Sequence, residues 1–276
     1  MKPKTMIKIL KDMENGRKEI QKAMEKKVSP DVLMQMRRDY LMKTIENVHY
    51  GQEYVNPSGE QTHILTREEN RFAISNWSEE ADKKNIIAMQ DFAQDVMFQY
   101  HQFLTSPASA KYHGAYDGGL FDHSMAVLEA AIKLAPAFNI QLVDIDPIPF
   151  IFHDLCKVGL YKPVTKEKTT ESGKKQKFTV YEYNNDMEQI QHGPESLRRL
   201  LNVESRSDYS SFDNPLDKTT YKYTMTERYQ YAIAYHMGAF DTGTDERIKF
   251  GNMCGLVPEV LWMHTADMVA SKIMGL

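Results

Sequence analysis

Apolar side chains recur every three to four residues along the first 43 positions of the chain, which is the spacing of one face of an α-helix. Ser29-Pro30 interrupts this pattern with a helix-capping residue and a first-turn residue, so we expect one helix before it and another after it. The apolar positions that carry the pattern are Met6, Leu10, Met13, Ile20, Met24, Val32, Leu33, Met36, Tyr40 and Leu41.

Similar patterns predict further helices in the rest of the chain. Gly118-Gly119 opens a helix that runs to about Ala135, and the short apolar segment 148–156 is assigned to a buried helix. The other predicted helices cover residues 77–104, 187–201, 226–237 and 257–274.

A different pattern appears between residues 161 and 184. The runs YKPVTKEK and KFTVYEYN are strand-like and are joined by TTESGKKQ, which predicts one β-hairpin. Residues 51–66 contain turn residues without a sustained period and are interpreted as a connection. The chain is therefore predicted to be mostly α, with a β-hairpin insertion and an N-terminal helical region over 1–85 that precedes a main domain over 86–276.

The composition of this 276-residue chain is that of an ordinary globular protein with a net charge of −4. No apolar run approaches the roughly 18 residues needed to cross a bilayer, and charged residues interrupt the first segment. We therefore expect no membrane span and no secretory signal. Only two cysteines, Cys156 and Cys254, favour the reducing cytoplasm over a compartment that forms disulfides.

Positive charge is concentrated in two segments. Residues 1–43 hold twelve lysines and arginines against six acidic residues, a net charge of +6 that could attract a polyanion or a protein partner to basic N-terminal helices. The predicted hairpin holds six lysines against three acidic residues, a net charge of +3, and could contact a polyphosphate or a phosphodiester. In both segments the alternative is that the charges only solvate exposed faces. The hairpin lysines are Lys162, Lys166, Lys168, Lys174, Lys175 and Lys177.

Four ionisable residues lie in otherwise apolar surroundings. His123 follows GGLFD on an apolar helix, His153-Asp154 directly follows IPFIF, and Asp267 lies within an apolar helix. Burial of such groups is costly without a hydrogen bond, an ion pair or a metal. A single buried histidine is commonly a hydrogen-bonded core residue, but four such groups favour a metal site. Imidazoles with carboxylates suit a divalent first-row metal, and Asp154 is the natural bridge between two ions.

Lys157 follows this cluster closely. A helix that continued through residues 153–157 would place Lys157 on the same face as His153 and Asp154, where a cation could meet a phosphate oxygen. The alternative is an exposed lysine near a helix end that Gly159 closes.

The succession His123, His153-Asp154 and Asp267 resembles the H…HD…D signature of the HD superfamily of metal-dependent phosphohydrolases. The resemblance covers about residues 100–275. Over this range the chain is similar to small bacterial and phage HD hydrolases and to the HD domain of a 3′→5′ exoribonuclease family. It implies an HD-domain helical bundle. The segments that carry it are HGAYDGGLFDHS (113–124), FHDLCKVGLY (152–161), HGPES (192–196), YHMGAFD (235–241) and HTADMVAS (264–271).

The resemblance also implies a ligand set. His123, His153, Asp154 and Asp267 would bind the first metal, whereas His192 and His236 would complete a binuclear site with Asp154 bridging. The alternatives are a helix-start histidine at His192 and a core imidazole at His236. Residue types favour one or two ions of Mn, Fe, Co, Ni or Zn over Mg.

Further polar residues lie within the matching segments. His113 is expected to contact substrate phosphate or orient a ligand, and Ser196, four residues after His192, to face the same site. Glu195 is a candidate for acid-base chemistry or an exposed helix residue. His264 lies one turn before Asp267 and is a candidate to support that ligand.

The resemblance implies an enzyme that hydrolyses a phosphoester of a nucleotide or nucleotide-like substrate through a metal-bound hydroxide, with Asp154 and Lys157 as catalytic residues. A 3′→5′ exonuclease acting on short nucleic acid and a cyclic (oligo)nucleotide phosphodiesterase are alternatives. The chain lacks the GYP tripeptide of HD-type cyclic di-GMP phosphodiesterases, which disfavours cyclic di-GMP as the substrate. Its N-terminal region is predicted to be helical, whereas the exoribonuclease relatives carry a β domain there, and this weakens a role in RNA trimming. A nucleotide-sensing or adaptor protein is the alternative of another class.

Overall fold

The computed structural model describes residues 6–50, 79–140, 145–169, 174–187, 191–206, 222–238 and 244–276 of the chain. Over these residues the protein is mostly α-helical, with a two-stranded antiparallel hairpin. None of the described helices is long and apolar enough to cross a bilayer. The helices are α1 (Met6–Glu25), α2 (Pro30–Tyr50), α3 (Glu79–Gln99), α4 (Gly119–Leu134), α5 (Pro147–Phe152), α6 (His192–Arg206), α7 (Glu227–Tyr235), α8 (Thr244–Leu256) and α9 (Pro258–Val269).

The N-terminal region forms the two predicted helices, and they pack against each other. Ser29 accepts a hydrogen bond from the Val32 amide at 3.4 Å, so it caps α2 as predicted. Gly16 allows a close approach, because a Cβ there would lie 2.5 Å from the Tyr40 ring. The Tyr40 hydroxyl donates to the Met13 carbonyl oxygen at 2.8 Å.

Helix α4 lies at the centre of the fold and is buried on almost every side. It contacts α1, α5, α9 and the π-helical turn Ala270–Met274, and Trp262 of α9 donates its indole N–H to the Ala131 carbonyl oxygen at 3.0 Å. A helix with so broad an apolar surface belongs in a core. One buried cluster includes Ile9 of α1, Ile45 of α2 and Trp262, so the N-terminal helices contribute to the same core. The domain division at residue 85 stays a prediction.

The predicted hairpin is present as β1 (Tyr161–Thr169) and β2 (Lys175–Tyr183), paired from Tyr161↔Tyr183 to Thr169↔Lys175. It is mostly exposed. Several of its lysines pair with acidic residues: Lys166 lies 2.8 Å from Glu182, and Glu167 lies 3.7 Å from Lys175. Part of the positive charge of the hairpin is therefore already neutralised.

Three elements differ from the sequence prediction. Helix α6 begins at His192 and ends at Arg206, five residues later at each end than the predicted 187–201. Helix α5 ends at Phe152 rather than continuing to Cys156, and a turn at His153-Asp154 leads into a 3₁₀ turn over Leu155–Lys157. Helix α8 has no counterpart among the predicted helices. The predicted connection over 51–66 lies outside the described residues.

Candidate metal centre

Two histidines of the candidate site occupy the same position at the ends of two helices. His153 follows the last residue of α5, and its Nδ1 lies 2.8 Å from the Phe150 carbonyl oxygen. His236 follows the last residue of α7, and its Nδ1 lies 2.7 Å from the Ile233 carbonyl oxygen. Helix ends leave such carbonyls without a backbone partner. Because a carbonyl oxygen only accepts, Nδ1 carries the hydrogen and the Nε2 of a neutral ring keeps its lone pair.

His123 lies in the first turns of α4, where the Gly118-Gly119 turn opens the helix as predicted. Its Nδ1 lies 2.9 Å from the backbone oxygen of Leu276, which only accepts, so its Nε2 also keeps a lone pair when the ring is neutral. The Nε2 atoms of all three histidines are buried without a hydrogen-bond partner, as is Oδ1 of Asp154. Buried polar atoms are normally paired, so these four atoms are candidate ligand atoms for a cation.

Two carboxylates face the three imidazoles. Oδ2 of Asp154 lies 3.5 Å from Nε2 of His123 and 3.4 Å from Nε2 of His153, whereas Oδ1 lies 3.4 Å from Nε2 of His236. Oδ1 of Asp267 lies 3.1 Å from Nε2 of His123. Lone pairs at these separations repel one another unless a proton or a metal cation lies between them.

The electrostatics of the cluster favour bound positive charge. Burial raises the pKa of the Asp154 carboxyl, but Lys157 and the adjacent imidazoles outweigh burial and hold this pKa well below its usual range. Burial also raises the pKa of Asp267, and His123 reverses the effect to a value below the usual range. Burial lowers the pKa of His123, but the two carboxylates outweigh it and raise the pKa to about 9. Burial lowers the pKa of His153.

The residues present fit a divalent cation. Two groups, His123-His153-Asp267 and His153-Asp154-His236, each place their ligand atoms within 4.8 Å of one another. With neutral imidazoles, the two carboxylates and Lys157 leave a charge of −1 in a buried site. Imidazole nitrogen with carboxylate oxygen is a donor set for transition metals. These buried groups can therefore hold a metal ion.

Lys157 reaches the site although the predicted continuous helix is wrong. The chain turns at Asp154, and the 3₁₀ turn brings Lys157 back so that its Nζ lies 2.5 Å from Oδ2 of Asp154. Its side chain is only 11% exposed. Gly159 closes the turn with a φ of +81°, a backbone conformation that favours glycine. Lys157 is thus a nearly buried ion-pair partner of Asp154 rather than an exposed helix-end lysine.

His192 begins α6 and is half-buried, but it belongs to neither of the two groups found among the described residues. Its neighbour Gly193 packs tightly on the end of α7, where a Cβ would lie 2.3 Å from the Ala234 carbonyl oxygen. The start of α6 therefore lies against the segment that carries His236. The metal-ligand role of His192 stays a prediction.

The predicted substrate contacts differ in their surroundings. The ring of His113 lies against that of His123, with centroids 5.2 Å apart, and burial lowers its pKa to about 4. Ser196 is fully buried, and its hydroxyl oxygen accepts a hydrogen bond from the Cys156 amide at 3.1 Å. Ser196 thus supports the turn after Asp154, and its contact with substrate stays a prediction.

Glu195 and His264 support neighbouring segments. The carboxylate of Glu195 accepts hydrogen bonds from Arg198 at 2.7 Å and from Arg199 at 2.8 Å, and these bonds lower its pKa. Glu195 is therefore a buried partner of two arginines on its own helix, and the alternative of an exposed helix residue is wrong. His264 places Nδ1 2.6 Å from the carbonyl oxygen of His236, so it contacts a candidate ligand segment other than that of Asp267.

Sequence reasoning missed two buried arginines next to the site. Arg199 donates to the carbonyl oxygens of Leu155 at 2.9 Å and Val158 at 3.0 Å, which secures the turn that carries Lys157. Arg37 of α2 contacts the loop before α4. The available signal was the position of Arg37 on the apolar stripe of α2, four residues after Leu33.

No protein-family model, curated protein or solved structure matches the chain significantly. The residues of the candidate metal centre are therefore the basis for assigning a function.

Proposed function

We propose that this protein is a metal-dependent phosphohydrolase that cleaves a phosphoester of a nucleotide or nucleotide-like substrate. The observation that carries the proposal is the convergence of three buried, unpaired Nε2 atoms on two carboxylates. A divalent metal bound there would activate water as a nucleophile and neutralise charge on a phosphoryl group. His123, His153, Asp154, His236 and Asp267 are the residues that would hold it, with His192 as a further candidate.

The two oxygens of Asp154 face different histidines, an arrangement that suits more than one bound ion. Oδ2 faces His123 and His153, whereas Oδ1 faces His236. A carboxylate can bridge two cations through separate oxygens, whereas an imidazole nitrogen cannot. Asp154 would therefore bridge if two ions bind. Mn, Fe, Co, Ni and Zn remain the favoured metals for this donor set.

Lys157 and His113 would act on the substrate. The ammonium of Lys157 lies beside Asp154 in a nearly buried turn, so it can donate to a phosphate oxygen without losing hydration on substrate binding. His113 stands next to His123 on the loop before α4 and would orient the phosphate. Both free thiols, Cys156 and Cys254, are consistent with the proposed location in the cytoplasm.

The test combines metal content with hydrolysis. The protein is purified with Mn²⁺ or Co²⁺, its bound metal is measured by mass spectrometry, and hydrolysis of bis(p-nitrophenyl) phosphate is followed. We expect Asp154→Ala and His153→Ala to lose bound metal and activity, whereas His101→Ala, at an exposed histidine outside the site, keeps both. Unchanged metal content and activity in the two site variants would contradict the proposal.

A panel of nucleoside phosphates, cyclic nucleotides and short RNA then separates the substrate classes. A nuclease is the second candidate, because the lysine-bearing hairpin begins four residues after Lys157. Binding of RNA through these lysines would weaken steeply as salt rises. Metal-stabilised nucleotide binding without turnover would instead favour a sensor or adaptor, with the basic N-terminal helices as the protein-binding surface.

A further inference from the structure

Arg37 of α2 is fully buried beneath the loop that leads into the candidate metal centre. Its Nη1 donates to the Leu104 carbonyl oxygen at 2.7 Å, and its Nη2 donates to the Asp117 carbonyl oxygen at 2.9 Å. These two carbonyls stand at opposite ends of the loop 105–117. One guanidinium group therefore joins both ends of this loop.

The loop carries parts of the site. His113 lies within it, against the ring of His123, and α4 begins two residues after Asp117. Backbone hydrogen bonds close the loop at the same place, because the Gly118 amide donates to Thr105 at 2.8 Å. Displacement of the loop ends would thus move both His113 and the first turns of α4.

Gly118 accommodates the guanidinium. Its φ is +83°, and a Cβ at this position would lie 2.1 Å from Cζ of Arg37. A side chain is therefore excluded there by backbone conformation and by the space that Arg37 occupies. The predicted Gly-Gly turn opens α4 and at the same time makes room for a side chain of the N-terminal region.

The burial of Arg37 is costly. Among the described residues its hydrogen bonds reach carbonyl oxygens and the Met24 sulfur but no carboxylate, and its Nε is buried without a partner. Burial of a guanidinium group removes its hydration, which is repaid only where every donor finds a partner, and the Nε of Arg37 has no partner. Stability alone is thus a poor explanation for an arginine here.

We propose that Arg37 is a positioning residue of the metal centre, through which the N-terminal helical region holds His113 and His123 in place. This inference rests on the proposed function, because it requires a metal to bind at His123. It gives residues 6–50 a part in the site itself, because α2 supplies the guanidinium group that joins the two ends of the loop.

Co²⁺ binding tests this role in the full chain, because the visible absorption of Co²⁺ reports on the arrangement of its ligands. We expect Arg37→Met to weaken Co²⁺ binding roughly tenfold or more and to change the spectrum, as substitutions behind a ligand do. Arg37→Lys, which keeps the charge but cannot fork between two carbonyls, should lose less. Gly118→Ala should reproduce the effect of Arg37→Met by displacing the guanidinium.

Ile45→Ala is the matched control. Ile45 is equally buried on the same helix, eight residues or about 12 Å from Arg37. We expect this variant to lose thermal stability by a cavity and to bind Co²⁺ like the wild type. Wild-type binding and spectrum in Arg37→Met, or in Arg37→Lys if the methionine variant does not fold, would overturn the positioning role alone. Failure of the wild-type protein to bind any transition metal would instead overturn the proposed function.

Discussion

Substitution of Gly193 by alanine should disturb the metal centre from outside it. Gly193 lies in the first turn of α6, and a Cβ there would lie 2.3 Å from the Ala234 carbonyl oxygen and 2.5 Å from that of Ile233. The Ile233 carbonyl is the group that fixes Nδ1 of His236 at 2.7 Å. The added methyl group therefore presses on the acceptor that orients a candidate ligand.

The displacement follows from these distances. Ordinary contact of a Cβ begins at 3.4 Å, so α6 or the end of α7 must move by about 1.1 Å. Metal-ligand distances tolerate only about 0.2 Å, so His236 should no longer meet a metal correctly. We expect a loss of roughly tenfold or more in metal affinity and about 1–3 kcal/mol in the free energy of unfolding.

Calorimetric titration with Mn²⁺ or Co²⁺ and thermal unfolding measure these two effects. Gly251→Ala is the control, because Gly251 is exposed on α8 and a Cβ there meets nothing within 4 Å. That variant should keep wild-type metal affinity and gain up to about 1 kcal/mol of stability from helix propensity. Wild-type metal affinity in Gly193→Ala would refute the link between the start of α6 and His236.

Three further predictions concern stability and pH. Burial outweighs two hydrogen bonds and raises the pKa of Asp146 to about 6. This pKa of the folded state exceeds that of the unfolded state, so protonated Asp146 favours folding. Its contribution to stability is full below about pH 4 and is lost as pH rises through 6. Asp146→Asn should therefore raise the free energy of unfolding at pH 7 by about 1–3 kcal/mol and flatten its decline between pH 4 and 7, measured by denaturant titration; an unchanged pH profile would contradict this. Ser196→Ala should lower the free energy of unfolding by about 1–3 kcal/mol, because it leaves the Cys156 amide without its acceptor; unchanged stability would contradict this role, and a raised KM would support the predicted substrate contact. Removal of metal by a chelator should lower the melting temperature, since metal at a thousandfold its Kd stabilises by about 4 kcal/mol; no shift on adding Mn²⁺ or Co²⁺ back would count against the metal centre.

The fold was predictable where local chemistry dominates. The apolar stripes, the Ser29-Pro30 boundary and the alternating runs of the hairpin each act over a few residues. The helices and the hairpin that they predict are present, although α5 and α6 have other bounds than expected. Helix α8 was not predictable in this way, because its apolar residues form no continuous stripe and Ile248 and Leu256 are exposed. It packs on α7 and α9, and such contacts with distant elements are invisible to periodicity.

The candidate site shows the same division. Ionisable residues within or directly after apolar runs mark His123, His153, Asp154 and Asp267 as candidate metal ligands. These four side chains lie together in the structure. The helix expected after His153 was wrong, since the chain turns at Asp154 and still brings Lys157 to it.

Local sequence is enough to mark His123, His153 and Asp154 as buried ionisable residues, because each lies within or directly after an apolar run. The contacts of Asp154 with His123 and His236 come from the packing of distant elements. Arg199 secures the turn after Asp154 through the Leu155 carbonyl oxygen, and the tautomer of His123 follows from the backbone oxygen of Leu276. The part of the N-terminal region in the site follows from Arg37. Such hydrogen bonds depend on distances between elements that are far apart along the chain, and no local pattern encodes them.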